Sequence, residues 1–335
     1  MTSREFDGRR GTARQAVSSS LAAAAFSLAS AIPATAAPDT SALPGQAVFP
    51  ESITSTADGT LYVSSFVAGG VIRVKPGAKE GEVWIKPAAF GTRSTFGLLA
   101  DEKSNTLWLC SNDLSALGVQ GPNEEKGAAL KGFDLKTGEG KFSVPLPVSP
   151  AICNDIALGA DGSAYVTNTL GPQIFRLKPG AKALETWKTD PLFAIEGNEA
   201  GLDGIAFGKD GNLYVNTFTK ANLFRIGVKD GEAGKVTALK PSRPVVLADA
   251  LRPLPDGSFV MAEGGGSVER VTFEGDTARI ETIMGGVAGG VTGVTTVGST
   301  IWFSEGQLAV ITDPSKKGTK PELPFKAYSV PLPAH

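Results

Sequence analysis

The chain has 335 residues, with 32 basic and 34 acidic side chains, 41 Gly, 22 Pro, two Cys and one His. So balanced a charge gives no electrostatic footprint for nucleic acid, and beyond the N-terminal segment no stretch reaches the roughly 18 apolar residues of a membrane-spanning helix. The one His is His335, the last residue, so His-dependent triads, His-ligated zinc and imidazole acid/base chemistry are excluded.

In chain order, Arg4, Arg9, Arg10 and Arg14 precede a small, apolar run over residues 16–32, followed by Pro33 and Ala34-Thr35-Ala36-Ala37. A charged region, an apolar region and an A-x-A site make a secretory signal peptide, expected to span residues 1–37. The Arg9-Arg10 pair hints at twin-arginine export, although no bulky apolar residue follows it at the usual distance. Cleavage would remove four Arg, Glu5 and Asp7, leaving 28 basic and 32 acidic groups, net −4. The expectation is a soluble periplasmic or secreted protein with no membrane partner.

From Phe49 onward one plan repeats. It reads ESITSTADGTLYVSSF, GVIRVKPG and GEVWIKP in the first repeat, then NDIALGADGSAYVTNT, QIFRLKPG and ALETWK in the third. The fourth is LDGIAFGKDGNLYVNTF, ANLFRIGV and GKVTALKP. Each piece is a short strand, and Asp-Gly pairs such as Asp210-Gly211 and Asp256-Gly257 mark hairpin turns. Equivalent Tyr/Trp-type positions are 46, 57, 49, 46 and 42 residues apart, about one four-stranded unit per repeat. The spacing predicts an all-β, six-bladed β-propeller over residues 38–335, with four antiparallel strands per blade. A β-sandwich would lack this regular period. In the last repeat LAVIT is expected as a strand, and FKAYSVPLP as the strand that completes the blade and lies against the first. The four Trp and four Tyr, mostly at repeat positions, are expected to pack between blades.

Glu51, Gly97, Asn154, Asp203 and Asp249 each stand eleven residues before the apolar or aromatic marker of their repeat, and Gly293 stands nine before Trp302. Residues at equivalent points of a radial repeat converge on an axis. Three carboxylates gathered there would repel and raise one another's pKa unless a cation were present. Oxygen donors without His or Cys suit a hard ion, with Ca²⁺ favoured over Mg²⁺, Mn²⁺ or Zn²⁺. The competing reading is that such Asp and Asn residues cap turns.

In a propeller blade the start of the innermost strand lies beside the end of the second strand. Those ends carry Ser64, Asn112, Asp113, Asn168, Asn216, Glu263 and Glu305, a polar ring suited to bracing the site or binding a substrate. Asn112, Asn168, Asn216, Glu263 and Glu305 are the substrate-binding candidates. Loops 114–131 and 190–201 rise from the same rim as candidate lids. Cys110 and Cys153 reach that rim in neighbouring repeats, so a disulfide between them is open. Gly264-Gly265-Gly266 and residues 285–293 lack the following Lys-Ser/Thr helix of a phosphate loop and read as tight turns.

FPESI, NDIALGADGSAYVTNT, GLDGIAFGKDGNLYV and LADALRPLPDGSFV resemble the SMP-30/gluconolactonase-like propellers and, more distantly, paraoxonase-type lactonases, over roughly residues 49–326. The resemblance implies Glu51, Asp203 and Asp249 as metal ligands, Asn154 at or near the metal, and Asp249 as general base in lactone or ester hydrolysis. Two positions depart from the family pattern: Asp203 stands where Asn is frequent, and Ile152 where Arg is frequent, which counts against sugar-lactone recognition. The expected function is an exported, divalent-metal-dependent hydrolase of a lactone or small ester, its partner a small-molecule substrate. The alternative is a non-catalytic propeller that binds a ligand or partner protein at its mouth around a structural cation. A His-dependent lyase acting on a cyclic ester is disfavoured, because no internal His exists.

Overall fold

The computed structural model describes residues 39–316 and 318–334. The expected signal segment, residues 1–37, lies outside them, as does His335. Among the described residues no helix is long and apolar enough to cross a membrane.

The chain folds into successive four-stranded antiparallel meanders. β1 (Thr40–Leu43) is a separate N-terminal strand; the first meander is β2 (Pro50–Ser55), β3 (Leu61–Ser65), β4 (Val71–Val74) and β5 (Glu82–Ile85). The second is β6 (Ser94–Asp101), β7 (Thr106–Asn112), β8 (Ala128–Asp134) and β9 (Gly140–Pro145), and the third β10 (Cys153–Leu158), β11 (Ala164–Asn168), β12 (Gln173–Leu177) and β13 (Glu185–Thr189). Then come β14 (Leu202–Phe207), β15 (Leu213–Thr217), β16 (Leu223–Lys229) and β17 (Glu232–Pro241), followed by β18 (Ala248–Pro253), β19 (Phe259–Glu263), β20 (Ser267–Glu274) and β21 (Thr277–Met284). These last two meanders join into one eight-stranded sheet through the parallel pairs Lys240↔Thr277 and Pro241↔Ala278. The closing sheet, in the order β1-β24-β23-β22, takes β22 (Val291–Val297), β23 (Thr300–Glu305) and β24 (Phe325–Pro331) from the C-terminus and β1 from the N-terminus. LAVIT is not a strand: Ala309–Thr312 forms a short helix, α1, in the long β23–β24 connection.

Local chemistry sets these hairpins. In four of the first turns an Asp accepts the N–H two residues on, Asp58 from Thr60, Asp161 from Ser163, Asp210 from Asn212 and Asp256 from Ser258. The intervening Gly59, Gly162, Gly211 and Gly257 all have positive φ, a conformation open to Gly at little cost. The repeat aromatics pack within and between meanders: Tyr62 meets Trp84 at 5.0 Å and Tyr165 meets Trp187 at 4.9 Å inside their own sheets, while Tyr165 meets Phe207 of the next meander at 5.2 Å and Tyr214 stacks on Phe273 of the meander after its own at 4.3 Å. Tyr165 and Tyr214 thus reach between meanders as the repeat positions implied, and Tyr62 and Trp84 share one cluster with Leu98 and Leu107 of the next meander.

Candidate functional site

Six strands, β2, β6, β10, β14, β18 and β22, each carry a β-bulge within the first few residues, where one extra residue stands against the partner strand. A bulge re-aims side chains, and here it re-aims the acids. Glu51-Ser52, Phe96-Gly97, Asn154-Asp155, Asp203-Gly204 and Asp249-Ala250 fall inside the bulges of the first five, and Thr292 inside that of β22. The structural equivalents of Glu51 are therefore Phe96 and Thr292, one residue before the Gly97 and Gly293 that counting along the sequence suggests. In β6 and β14 the second bulge position lies against the neighbouring strand, where only Gly fits. A Cβ on Gly97 would lie 2.2 Å from the Asn154 carbonyl oxygen, and one on Gly204 2.5 Å from that of Asp249.

Glu51, Asn154, Asp203 and Asp249 come together as the sequence implied, with Asp155 and Thr292 beside them, and the group leaves no space for a free water molecule. Asn154 Nδ2 donates to Asp203 Oδ2 at 3.0 Å and to Thr169 Oγ1 at 2.8 Å, and Asp203 stands with Asp249 in the same cluster. Asp249 Oδ1 accepts the Ala250 N–H at 2.9 Å. Glu51 Oε2 is buried without a hydrogen-bond partner.

Sequence reasoning missed two charged members of the site. Asp155 and Arg252 form a buried, two-pronged ion pair, Nη1 to Oδ2 at 2.6 Å and Nη2 to Oδ1 at 2.9 Å. The signal was present: an Arg within the buried strand LADALRPLP and a second acid adjoining Asn154.

Burial, then the charges of Asp203 and Asp155, raise the Glu51 pKa well above the usual carboxylate range. Asp203 is pushed up to about 8 by burial and then by Asp155. Asp249 is raised well above its usual value by burial, then by Asp203 and Glu51. Burial opposes the charge of Arg252, yet facing Asp155, Glu51 and Asp249 holds its pKa above the ordinary value.

Four acids against one Arg, with an orphaned carboxylate oxygen among them, are a donor set whose chemistry fits a hard cation. The set is not a pre-formed shell: among the described residues no three His, Cys, Asp or Glu side chains are disposed as ligands. Asn154 instead donates to Asp203, so one acid of the set is already engaged by a neutral partner.

The five substrate-binding candidates stand differently. Asn112 donates to the Cys153 carbonyl at 2.8 Å and accepts the Cys153 N–H at 2.9 Å. Asn168 accepts from Ile152 N and Leu170 N and donates to Gln173. Asn216 accepts from Gly204 N at 2.8 Å and donates to the Asp249 carbonyl at 2.6 Å. All three are buried and brace the inner strands. Glu263 accepts from Val246 N and Arg243, holding the segment that leads into Asp249. Only Glu305 lines a cavity that Asp249 also lines.

That cavity, about 440 Å³, is bounded by Phe218, Leu247, Asp249, Glu305 and residues of the β23–β24 connection. Two clefts of about 610 and 660 Å³ sit at the far ends of the inner strands, among turn residues such as Asp58 and Asp161. Neither candidate lid loop lines the 440 Å³ cavity. The first is pinned down, with Arg93 donating to the Glu125 carbonyl at 2.7 Å and Asn123 to that of Thr92 at 2.9 Å. Cys110 and Cys153 form a disulfide with Cα atoms 5.2 Å apart, tying β7 to the strand that carries Asn154.

No family model and no curated relative matches the chain. Among solved structures it is similar to a gluconolactonase from Xanthomonas campestris, with TM-score 0.63 and 17% identity over 88% of this chain and 90% of that one. It is also similar to the major Malassezia sympodialis allergen Mala s 1, with TM-score 0.66 and 16% identity over 87% and 96% of the two chains. A third is virginiamycin B lyase from Staphylococcus aureus, with TM-score 0.56 and 16% identity over 87% and 98%. At these identities the likeness is one of fold alone: the chain is an all-β propeller, similar in fold to gluconolactonase structures.

Proposed function

We propose that the chain is an exported, divalent-metal-dependent hydrolase of a lactone or small ester. Its scaffold is a six-bladed propeller in which the joined eight-stranded sheet counts as two blades. The observation that carries this reading is the convergence of Glu51, Asn154, Asp203 and Asp249 from bulges of four of the six inner strands, with Glu51 Oε2 unpartnered. These four residues would hold the ion, Ca²⁺ before Mg²⁺, Mn²⁺ or Zn²⁺ because an irregular ring of oxygens suits a flexible shell. A bound ion would supply Lewis-acid polarisation of the substrate carbonyl.

The chain's own groups do the rest. Of the four, only Asp249 borders both the acid cluster and the 440 Å³ cavity. In its ionised form this carboxylate would act as general base, taking a proton from the attacking water. Asn216 holds the Asp249 backbone carbonyl, fixing where that carboxylate sits.

Asp249→Asn keeps the shape and removes the base. Hydrolysis of a lactone panel should fall by about 10²-fold or more, while far-ultraviolet circular dichroism stays that of the wild type. Undiminished turnover would remove Asp249 from the role.

A second reading keeps the ion, if any, structural and gives the mouth to a ligand or partner protein. The hydrogen bond by which Asn154 already engages Asp203 favours it, and it expects no lactone to be hydrolysed above background.

A further inference from the structure

The inner strands stand side by side in the order β2, β6, β10, β14, β18 and β22, which returns to β2. Five of these six joints are tied by side chains close to the acids. At the first, Ser52 Oγ accepts the Leu98 N–H and Thr54 Oγ1 that of Ala100, each at 3.2 Å. At the second, Cys153 is held twice from β7, by its disulfide to Cys110 and by Asn112, which engages both its backbone groups. Thr167 Oγ1 then donates to the Asp203 carbonyl at 2.7 Å, and Asn216 Nδ2 to that of Asp249 at 2.6 Å. Thr292 Oγ1 closes the ring on the Pro50 carbonyl at 2.9 Å.

The joint between β18 and β22 is different. Among the described residues no hydrogen bond or disulfide joins β18 or β19 to β22; Ala250, Val260 and Ala262 meet Val291, Val294 and Phe303 there in one apolar cluster. Ala262 stands two residues past the marker Val260, as Cys110, Thr167 and Asn216 stand two past Trp108, Tyr165 and Tyr214, and a methyl group can neither donate nor accept. One strand further out, Arg270 of β20 donates to the Pro333 carbonyl at 2.7 Å. The joint is thus fastened at its outer side and left to non-directional packing at its inner one. Since the acid group leaves no space for a free water molecule, an ion reaches Glu51 Oε2 only when inner strands part. Asp249 and Thr292 flank the untied joint, and both line the 440 Å³ cavity as well as the acid group.

We infer that the ion enters and leaves between β18 and β22, the joint opening locally at its inner side while the five tied joints stay shut. The inference rests on the ion-binding reading above and adds the route that controls loading. Local opening follows the least stable contacts in its path, and here these are the apolar side chains of Ala262 and Val291 in place of hydrogen bonds.

The test has two readouts, neither of which uses a lactone. Ala262 and Val291 hold the places that Cys110 and Cys153 hold one joint type away, the second position past the marker and the first residue of the next inner strand. The double variant Ala262→Cys, Val291→Cys should therefore bridge the joint, as mass spectrometry of the oxidised protein will show. Release of Ca²⁺ from the loaded protein into a fluorescent chelator, followed by stopped flow, should be about tenfold slower in the bridged variant than in the wild type. Its Kd should change little, because entry slows by the same factor. Release as fast as that of the wild type from the bridged protein would overturn the inference. Hydrogen exchange of the chelator-treated wild type needs no variant: amides of β18 and β22 should exchange about tenfold faster than those of β10 and β14, and equal or reversed rates would overturn the inference whether or not the bridge forms. A wild type that binds none of Ca²⁺, Mg²⁺ and Mn²⁺ would overturn it together with the metal part of the hydrolase reading. Slowed release in the bridged variant, with no lactone hydrolysed by the wild type, would remove the hydrolase and leave the route standing.

Discussion

Glu51, Asp203 and Asp249 are each at most 6% exposed, and burial is the first cause of every raised pKa among them. A carboxyl whose folded pKa lies above its unfolded value contributes stability that is complete at pH below about 4 and lost as pH rises through the folded pKa, which for Asp203 is about 8. The metal-free protein should therefore melt at falling temperature as pH is raised from 5 to 9. Added Ca²⁺ should flatten that slope, and at a hundredfold excess over its Kd it should stabilise by about 2.7 kcal/mol. Melting curves of chelator-treated protein across this range, with and without Ca²⁺, make the check. A pH-independent melting temperature, indifferent to Ca²⁺, Mg²⁺ and Mn²⁺, would reduce the acids to turn caps. Arg252 belongs to the same scale. Arg252→Met would leave Asp155 buried without its partner and should cost about 3–5 kcal/mol, read as a drop in denaturant midpoint; a near-neutral result would mean that Asp155 takes up a proton or water instead.

The bulge is the element that makes the site. In a regular strand, side chains one residue apart point to opposite faces, so Asn154 and Asp155 could not both turn to the same cluster. The bulge between Cys153 and Ile156 lets both border it. The cost falls on the neighbouring strand, which must come close, and Gly97 is the residue that permits it. Gly97→Ala would drive a Cβ to 2.2 Å from the Asn154 carbonyl oxygen, backbone that cannot swing aside. A loss of about 3 kcal/mol in unfolding free energy is expected, with weakened ion binding in the refolded variant measured by calorimetry. Wild-type stability and affinity would show that the two strands need not approach so closely.

Across the whole molecule, closure is shared between the termini. β1 pairs with β24 from Thr40↔Tyr328 to Leu43↔Phe325, so the last sheet is incomplete without the N-terminal strand, and an edge that would otherwise stay open is covered. A second tie is the Cys110–Cys153 disulfide, which spans 43 residues. In the chain-entropy description a loop of that length is worth about 4 kcal/mol. The Cys110→Ser, Cys153→Ser double variant should lose stability on that order in urea unfolding. Because the bridge ends one residue before Asn154, ion binding should weaken as well. Equal urea midpoints for the variant and the wild type would mean that packing of β7 against β10 suffices alone.

How much of this the sequence held varies with the range of the interactions concerned. Hairpin turns are local: Asp-Gly pairs, their Asx hydrogen bonds and the spacing of Tyr62, Tyr165 and Tyr214 announce the meanders without reference to distant residues. The convergence of Glu51, Asn154, Asp203 and Asp249 was legible too, because a radial repeat carries equivalent positions to one axis. LAVIT was misread because a short apolar run has no period to separate strand from helix. The rest needed tertiary structure. Whether Asn112 and Asn216 meet a ligand or a neighbouring strand depends on backbone groups supplied from 12 to 41 residues away. The pairing of Asp155 with Arg252 joins residues 97 apart in sequence. The cavity beside Asp249 exists only where the β23–β24 connection settles against Phe218 and Leu247. By itself the sequence determined the repeat, its turns and the acids that share a register. The tertiary structure decided which polar groups were satisfied by the protein and which were left to face a ligand, because hydrogen bonds and burial are settled by what arrives from elsewhere in the chain.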